Sequence, residues 1–321
     1  MSNANVLEVL LDKGIVHAES LDVLTLELLT GGFWNRVYRL RSTEHPSLDW
    51  VVKQFVQVPV NPMFPILPKA EYAALQFLQE QECAPTPIAF IADSPIGSLL
   101  VYEYVQGTSW NCDLDAAATL IARVQDIPID AFATKTFRKL PTDALALQTH
   151  AEGMLQRHSG PISDSVRELL PPDSARTDYP KQRDVLVHTD CGPGNMVSSP
   201  NGLRLIDWQC PGIGDGIQDA VTFLSPAMQL LYGYPVLTAE QEQQFLGAYF
   251  SALDENSSDA QETVAWFQAI RSSHHYRFAA YCAMRAQDTA SSDEKTSRLY
   301  SVALQAEIQI LHCLLSEERT Q

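Results

Sequence analysis

Positive charge is scarce in this chain of 321 residues. Lys and Arg together number 22 against 39 Asp and Glu, which gives a formal net charge of −17 at pH 7. A surface with this balance repels phosphodiester backbones and anionic lipids. No apolar run approaches the roughly 20 residues that a membrane-spanning helix needs. We therefore expect no nucleic-acid partner and no membrane partner.

Cysteine is also sparse. The six cysteines include no Cys-x-x-Cys pair and no tight cluster, a distribution typical of reduced thiols rather than of a disulfide framework. The first 14 residues lack a basic start, and Glu8 and Asp12 interrupt their apolar run, so we expect no signal peptide. Together these features predict a cytoplasmic protein.

Short runs rich in β-branched and aromatic residues dominate the first third of the chain and predict strands. These runs are residues 23–29, 37–41, 50–56, 88–91 and 99–104. One helix is predicted between them, from about residue 69 to 82, and from about residue 115 the pattern becomes mainly helical. A strand-rich part followed by a helix-rich part indicates two lobes, with the cleft between them as the expected ligand site.

One stretch, VLVHTDCGPGNMVSSPNGLRLIDWQ (residues 185–209), gathers acidic and amide side chains around short apolar runs. Its Asn201-Gly202 pair is a strong hairpin signal because both positions readily adopt positive φ. Folding the chain about this turn is expected to bring Asn195 close to a position opposite Asp207. Amide and carboxylate oxygens suit Mg²⁺, which keeps few protein ligands and takes the others from water and phosphate.

The spacing of this stretch also matches a known template. His188, Asp190 and Asn195 have the intervals of the kinase catalytic loop, in which His-x-Asp is followed by an Asn five residues after the Asp. Asp190 would then orient the acceptor hydroxyl and accept its proton late in phosphoryl transfer, and Asp207 would take the place of the metal-binding Asp. Alternatively, the three polar residues are a turn cap, a turn amide and an acid at a strand end.

At these motifs the chain resembles the aminoglycoside phosphotransferase and choline kinase family of small-molecule kinases, which have the protein-kinase-like fold. The resemblance covers about residues 30–224 and rests on these segments: GGFWNRVYRL, WVVKQF, AEYAALQFL, LLVYEYVQG, HTDCGPGN, LIDW and GIGDGIQDA. It implies an α+β, two-lobed fold. Residues 1–105 would form an antiparallel-sheet nucleotide-binding lobe ending in a hinge, and residues 106–321 a mainly helical lobe with the catalytic loop and the acceptor site.

The resemblance implies roles for five polar residues. Asp190 matches the catalytic Asp that faces the acceptor hydroxyl, and Asn195 and Asp207 match the Mg²⁺ ligands. Lys53, on a predicted strand, matches the lysine that holds the α- and β-phosphates. Glu71, on the predicted helix, matches the glutamate that pairs with that lysine.

Further residues are implied to bind the nucleotide. Glu103 and Val105 lie in the run that resembles the hinge, whose backbone pairs with adenine. Gly31 and Gly32 resemble the short loop of the small-molecule kinases rather than the Gly-x-Gly-x-x-Gly loop of protein kinases. Cys191, next to the catalytic Asp, is interpreted as a small buried apolar residue rather than a reactive thiol.

The implied function is that of an ATP- and Mg²⁺-dependent kinase that transfers the γ-phosphoryl group to a hydroxyl of a small, aminated acceptor. The chain shows no activation segment that could be phosphorylated after Asp207, which favours a small molecule over a protein as acceptor. Two alternatives stay open. The chain could be a nucleotide-binding sensor or scaffold with little catalysis, or a metal-assisted phosphoester hydrolase. The sequence gives no indication of oligomeric state.

Overall fold

The computed structural model describes residues 3–17, 22–29, 35–56, 60–172, 183–254 and 260–318. The chain divides into two compact units. Unit 1 consists of Met1–Thr108 and Val197–Pro211, and unit 2 consists of Ser109–Met196 and Gly212–Gln321. The segment Val197–Pro211 therefore belongs to unit 1, although the chain on both sides of it belongs to unit 2.

Unit 1 is built around a five-stranded antiparallel sheet with the strand order β1-β2-β3-β5-β4. Its elements are α1 (Asn3–Asp12), β1 (Leu24–Leu28), β2 (Arg36–Ser42), β3 (Asp49–Phe55), α2 (Pro68–Leu78), β4 (Pro87–Ile91) and β5 (Ser98–Glu103). The sheet contains all five strands that the sequence predicts. β3 is central and its last five residues are all buried, the polar Lys53 and Gln54 among them, so the strand is covered on both faces.

Two helical features of unit 1 differ from the sequence prediction. α1 was not predicted, yet Val6 and Leu10 pack in the same core as Leu40, Val52 and Leu99 of the sheet. α2 ends at Leu78 rather than near residue 82. The residues that follow Leu78 are exposed and polar up to residue 82, so they offer no apolar face whose packing would extend the helix.

The predicted hairpin is present but turns one residue earlier than expected. It consists of β9 (Met196–Ser199) and β10 (Gly202–Leu205), and β9 also pairs with the short β6 (Thr108–Ser109). The turn residues are Pro200 and Asn201, not Asn201 and Gly202. Proline presets φ at the second position of a type I turn, and Gly202, at φ 103°, takes the left-handed position that follows. The Ser199 hydroxyl accepts from the Asn201 amide at 3.2 Å and donates to the Gly202 carbonyl at 2.6 Å.

Unit 2 is mainly helical, as predicted. Its helices are α3 (Leu114–Asp126), α4 (Ala131–Thr136), α5 (Ala144–Leu155), α6 (Pro161–Arg167), α7 (Ile217–Leu224), α8 (Pro226–Leu231), α9 (Ala239–Asp254), α10 (Ala260–Thr289) and α11 (Glu294–Glu318). A small sheet of β7 (Arg138–Lys139), β11 (Gly212–Asp215) and β8 (Asp184–Val187) accompanies them, with β11 in the centre. β8 leads directly into His188, so this sheet positions the start of the predicted catalytic loop.

One helix within the described residues is long and apolar enough to cross a membrane by length and composition, the span Glu294–Glu317 in α11. The sequence analysis identified no such run. α11 packs against α10 and α8. Its Glu307 is fully buried, accepts hydrogen bonds from the Ser225 hydroxyl and from the Ala227 amide at 3.1 Å, and lies 2.8 Å from Nδ1 of His275. These contacts make α11 an integral part of the core of unit 2, and core helices pass the same test.

Candidate active site

A buried lysine lies at the centre of unit 1. Lys53 on β3 is 2% exposed and Glu71 on α2 is 1% exposed. The ammonium donates to both Glu71 carboxylate oxygens at 2.8 Å, and it also donates to Oδ1 of Asp207. The structure thus brings three of the predicted site residues together, and all three lie in unit 1.

Electrostatics favours a charged Lys53. Burial lowers its pKa, but the carboxylates of Asp207 and Glu71 raise it by more, so the pKa ends above its ordinary value. Burial also raises the pKa of Glu71 to about 7, against the opposing effect of Lys53. The raised pKa of Lys53 favours a charged ammonium, whereas the raised pKa of Glu71 favours a neutral carboxyl group. The contact of one ammonium with both Glu71 oxygens, a charge-assisted arrangement, favours the ionised pair.

Asp207 is held in an unusual backbone conformation. Its φ is 62°, in the left-handed region that residues other than glycine seldom adopt. The chain on each side of it is anchored within unit 1, where the Leu205 amide donates to the Cys83 carbonyl at 2.8 Å and the Leu67 amide donates to the Gln209 carbonyl at 2.9 Å. Trp208, fully buried, fixes the segment further. Strained residues of this kind concentrate at functional sites, where the surrounding structure enforces them.

The predicted catalytic loop lies in unit 2, directly after β8. Thr189 has φ 71°, which is strained for a β-branched residue. The amides of His188 and Thr189 both donate to the carboxylate of Asp219 on α7, at 2.8 and 2.9 Å. This pair of bonds holds the backbone immediately before Asp190. Burial raises the pKa of Asp219 to about 7, although the two backbone donors oppose the rise.

Asp190 and Asn195 are bonded to each other through the loop. The Asn195 side-chain nitrogen donates to the Asp190 carbonyl and to the Tyr232 hydroxyl, each at 2.8 Å. The Tyr232 hydroxyl in turn donates to Oδ1 of Asp190 at 2.8 Å. Asp190 and Asn195 are 7% and 5% exposed. The structure therefore brings these two predicted site residues together in unit 2, with a tyrosine that the sequence analysis did not single out.

The sequence matches the profile of the family described as "Phosphotransferase enzyme family" over residues 25–263, about three quarters of the chain. The chain belongs to this phosphotransferase family. The match covers both units and every predicted site residue. No curated protein matches the sequence significantly.

Solved structures of phosphotransferases share the fold. An ethanolamine kinase from Plasmodium vivax is 13% identical with a TM-score of 0.69, and the match covers 95% of this chain and 88% of that one. A choline kinase from Cryptosporidium parvum Iowa II is 12% identical with a TM-score of 0.63, covering 98% of each chain. A spectinomycin phosphotransferase is 10% identical with a TM-score of 0.57, covering 96% of this chain and 98% of that one. The predicted kinase-like α+β fold is confirmed, and family and fold together support a small-molecule phosphotransferase.

The remaining predicted nucleotide-binding residues of this phosphotransferase are less informative. Gly31 and Gly32 lie outside the described residues. The Glu103 amide at the end of β5 donates to the Thr86 carbonyl at 2.9 Å. Val105 follows β5, and in the described part of the chain no protein group bonds to its backbone. A hinge residue needs backbone N–H and C=O groups that make no hydrogen bond to the protein, so that they can bond to a base.

Each of the two predicted metal ligands has an oxygen that suits the metal that the resemblance implies. Both hydrogens of the Asn195 amide are donated, so its Oδ1 is the atom left to face a cation. Asp207 uses Oδ1 for Lys53, which leaves Oδ2. One amide and one carboxylate oxygen are hard ligands of the kind Mg²⁺ takes in small number. Within the described residues no group of three or more His, Cys, Asp or Glu side chains is suited to a metal, which excludes a site made wholly of such ligands there.

Sequence reasoning missed Tyr232 because nothing around it in the sequence marks it. A tyrosine at the end of a short helix is an ordinary core or surface residue. The available signal lay elsewhere, in Gly192 and Gly194. A side-chain carbon at either position would lie 2.3 or 2.1 Å from the Tyr232 ring, so the bare loop backbone provides the space that the ring fills. Cys191, immediately before Gly192, is fully buried, and burial raises the pKa of its thiol, as expected of an unreactive residue.

Proposed function

We propose that this protein is a kinase that uses ATP and Mg²⁺ to phosphorylate a hydroxyl of a small, amine-bearing acceptor. The observation that carries the proposal is the burial of Lys53 against Glu71 and Asp207. A buried ion pair contributes little to stability compared with apolar residues of similar size. Its retention therefore indicates a function, and a fixed ammonium is a suitable partner for phosphate oxygens.

Each residue has a distinct task in this proposal. Lys53 binds the α- and β-phosphates and Glu71 keeps its ammonium in place. Asn195 and Asp207 hold Mg²⁺, which when bound neutralises charge on the phosphates. Asp190 accepts a hydrogen bond from the acceptor hydroxyl, orients its oxygen, and takes its proton late in the reaction, because phosphoryl transfer depends mainly on positioning and electrostatics.

The nucleotide is proposed to bind through backbone groups as well. Glu103 and Val105 would contact adenine through their main chain, and Gly31 and Gly32 would cover the phosphates. One solved structure with this fold is a spectinomycin phosphotransferase in complex with ADP and another is an aminoglycoside 2'-phosphotransferase in complex with GDP. Both support a nucleotide ligand, which we propose to be ATP.

The acceptor is proposed to be an alcohol that carries an amine. The similar structures are described as ethanolamine, choline and spectinomycin phosphotransferases, and each of these acceptors is a hydroxyl compound with a cationic nitrogen. The net charge of −17 attracts such cations and repels anionic acceptors.

The test is an acceptor screen with isotopically labelled ATP and Mg²⁺, in which phosphorylated products are detected by mass spectrometry. Ethanolamine, choline, spectinomycin, aminoglycosides and amino sugars form the first panel, with neutral polyols as the comparison. We expect a labelled phosphate ester from an aminated acceptor, and none from the Asp190→Asn variant. Mg²⁺-dependent stabilisation by ATP without any product would instead favour the nucleotide sensor, and phosphate release without acceptor would favour the hydrolase.

A further inference from the structure

Tyr232 is rigidly mounted beside the catalytic loop in unit 2. It follows the last turn of α8, where its amide donates to the Met228 carbonyl at 3.1 Å. The start of α8 is capped by Ser225, whose hydroxyl accepts from the Met228 amide at 3.2 Å and donates to the buried carboxylate of Glu307. The start of the helix that carries the tyrosine is therefore anchored to α11, and the backbone of Tyr232 continues its last turn.

The position of the Tyr232 ring is set by the catalytic loop. The ring lies against the backbone of Gly192 and Gly194, and any side chain at either glycine would overlap with it. The ring therefore packs directly on the loop backbone, and close packing of this kind leaves a side chain few alternative rotamers. The Tyr232 hydroxyl therefore lies beside the loop, within hydrogen-bond distance of Asp190 and Asn195.

The direction of the hydrogen bonds at this point is forced by chemistry. An amide nitrogen only donates, so the Tyr232 hydroxyl accepts from Asn195 and must use its single hydrogen for another partner. That partner is Oδ1 of Asp190, at 2.8 Å. The hydroxyl therefore links the amide of one proposed metal ligand to the carboxylate of the proposed catalytic residue.

We propose that Tyr232 is a positioning residue for phosphoryl transfer, whose hydroxyl fixes the rotamers of the Asp190 carboxylate and the Asn195 amide relative to each other. The proposal rests on the proposed kinase function and extends it to a residue outside the motif. The hydroxyl engages Oδ1 of Asp190 and accepts the second hydrogen of the Asn195 amide, so both side chains are held by one atom. Misplacement of either group by about 1 Å would cost roughly 10²-fold in rate.

The alternative is that Tyr232 only fills space between α8 and the loop. The two roles are separated by Tyr232→Phe, which keeps the ring and removes the hydroxyl. Tyr234→Phe is the matched control, because it makes the same chemical change two residues further along the chain. The Tyr234 ring packs against Trp110, with a centroid distance of 5.5 Å.

The experiment compares ADP formation from Mg²⁺-ATP by the wild type, Tyr232→Phe, Tyr234→Phe and Asp190→Asn, with choline and ethanolamine as acceptor probes and water as the blank. We expect Tyr232→Phe to lower kcat at least tenfold with KM for ATP unchanged within about twofold. Its stabilisation by Mg²⁺-ATP in a thermal-shift assay should equal that of the wild type, and Tyr234→Phe should match the wild type throughout.

A second variant reaches the same interaction from the loop. Gly194→Ala displaces the ring without removing the hydroxyl, so its kcat should fall similarly, and adding Tyr232→Phe to it should cause little further loss. A wild-type kcat for Tyr232→Phe, or losses that multiply in the double variant, would overturn the positioning role. If Asp190→Asn also retained wild-type turnover, or if the wild type formed no ADP with any acceptor of the screening panel, the proposed kinase function itself would fail.

Discussion

Replacing Glu71 with leucine tests the ion pair buried inside unit 1. Removing one partner of a buried pair typically costs about 3–5 kcal/mol, because the other charge is left without compensation. In Glu71→Leu the Lys53 ammonium keeps one carboxylate, that of Asp207. We therefore expect the free energy of unfolding to fall by an amount near the lower end of that range, about 3 kcal/mol.

Replacing Lys53 with methionine removes the cation instead. Glu71 stays buried without a partner, and because burial already raises its pKa to about 7, it takes up a proton near neutral pH. The folded state then binds a proton that the unfolded state lacks between about pH 4.5 and pH 7. The free energy of unfolding of Lys53→Met should decrease as the pH rises through this window, by up to about 1.4 kcal/mol per pH unit. Asp207, with 36% of its side chain exposed, remains hydrated.

The double variant Lys53→Met/Glu71→Leu separates stability from activity. It replaces both charges with apolar side chains of similar size, so its free energy of unfolding should lie within about 1 kcal/mol of the wild type, far less than the sum of the single losses. Its kcat/KM should nevertheless stay at least about 10²-fold below the wild type, since the phosphate-binding ammonium is gone. Urea unfolding followed by circular dichroism and initial-rate kinetics measure the two quantities. Additive stability losses would refute the buried pair, and near-wild-type turnover by the double variant would refute the role of Lys53.

Three further predictions concern the loop, the thiols and a glycine. Burial raises the pKa of Asp219 to about 7, so its contribution to the free energy of unfolding decreases as the pH rises from about 4 to 7. Urea titrations over this range should show a shallower dependence of the free energy of unfolding on pH for Asp219→Asn than for the wild type. Equal slopes would contradict this. A thiol reagent should modify the exposed Cys112 in the native protein and leave the buried Cys191 unmodified, as peptide mass mapping would show. Gly97→Ala should lower the free energy of unfolding by about 2 kcal/mol or more, because φ is 98° and the new carbon would lie 2.4 Å from a carbonyl oxygen of β3. The control is Gly247→Ala on α9, where the space around the glycine is open. In the same urea assay this control should be neutral or stabilising.

The strands were predictable from the sequence for a physical reason, whereas the pairing of Lys53 with Glu71 was implied by the family resemblance. β3 is rich in β-branched and aromatic residues and lies at the centre of its sheet, but a lysine on a strand, taken alone, is more often exposed to solvent than buried. Glu71 precedes Leu75 and Leu78 on the same helical face, and both leucines are buried. Local pattern and tertiary packing agree at these positions, which makes the prediction dependable.

Other features depend on contacts that no local pattern encodes. The position of the hairpin turn was decided by Pro200 and by the hydrogen bonds of Ser199, which outweighed the Asn-Gly signal. α1 packs on the sheet through Val6 and Leu10, a contact that its own short sequence does not specify. Tyr232 reaches Asp190 from 42 residues away in sequence, and only the folded chain shows that they meet.

The discontinuity of unit 1 has a consequence for synthesis on the ribosome. The residue that completes the environment of Lys53, Asp207, and the carbonyl that anchors the start of α2, on Gln209, both lie in Val197–Pro211. A nascent chain that has emerged only as far as Thr108 contains the five strands but lacks this segment. Unit 1 therefore reaches its final set of interactions only after the whole first portion of unit 2, Ser109–Met196, has been translated. A recombinant fragment ending at Thr108 would carry Lys53 with one carboxylate instead of two.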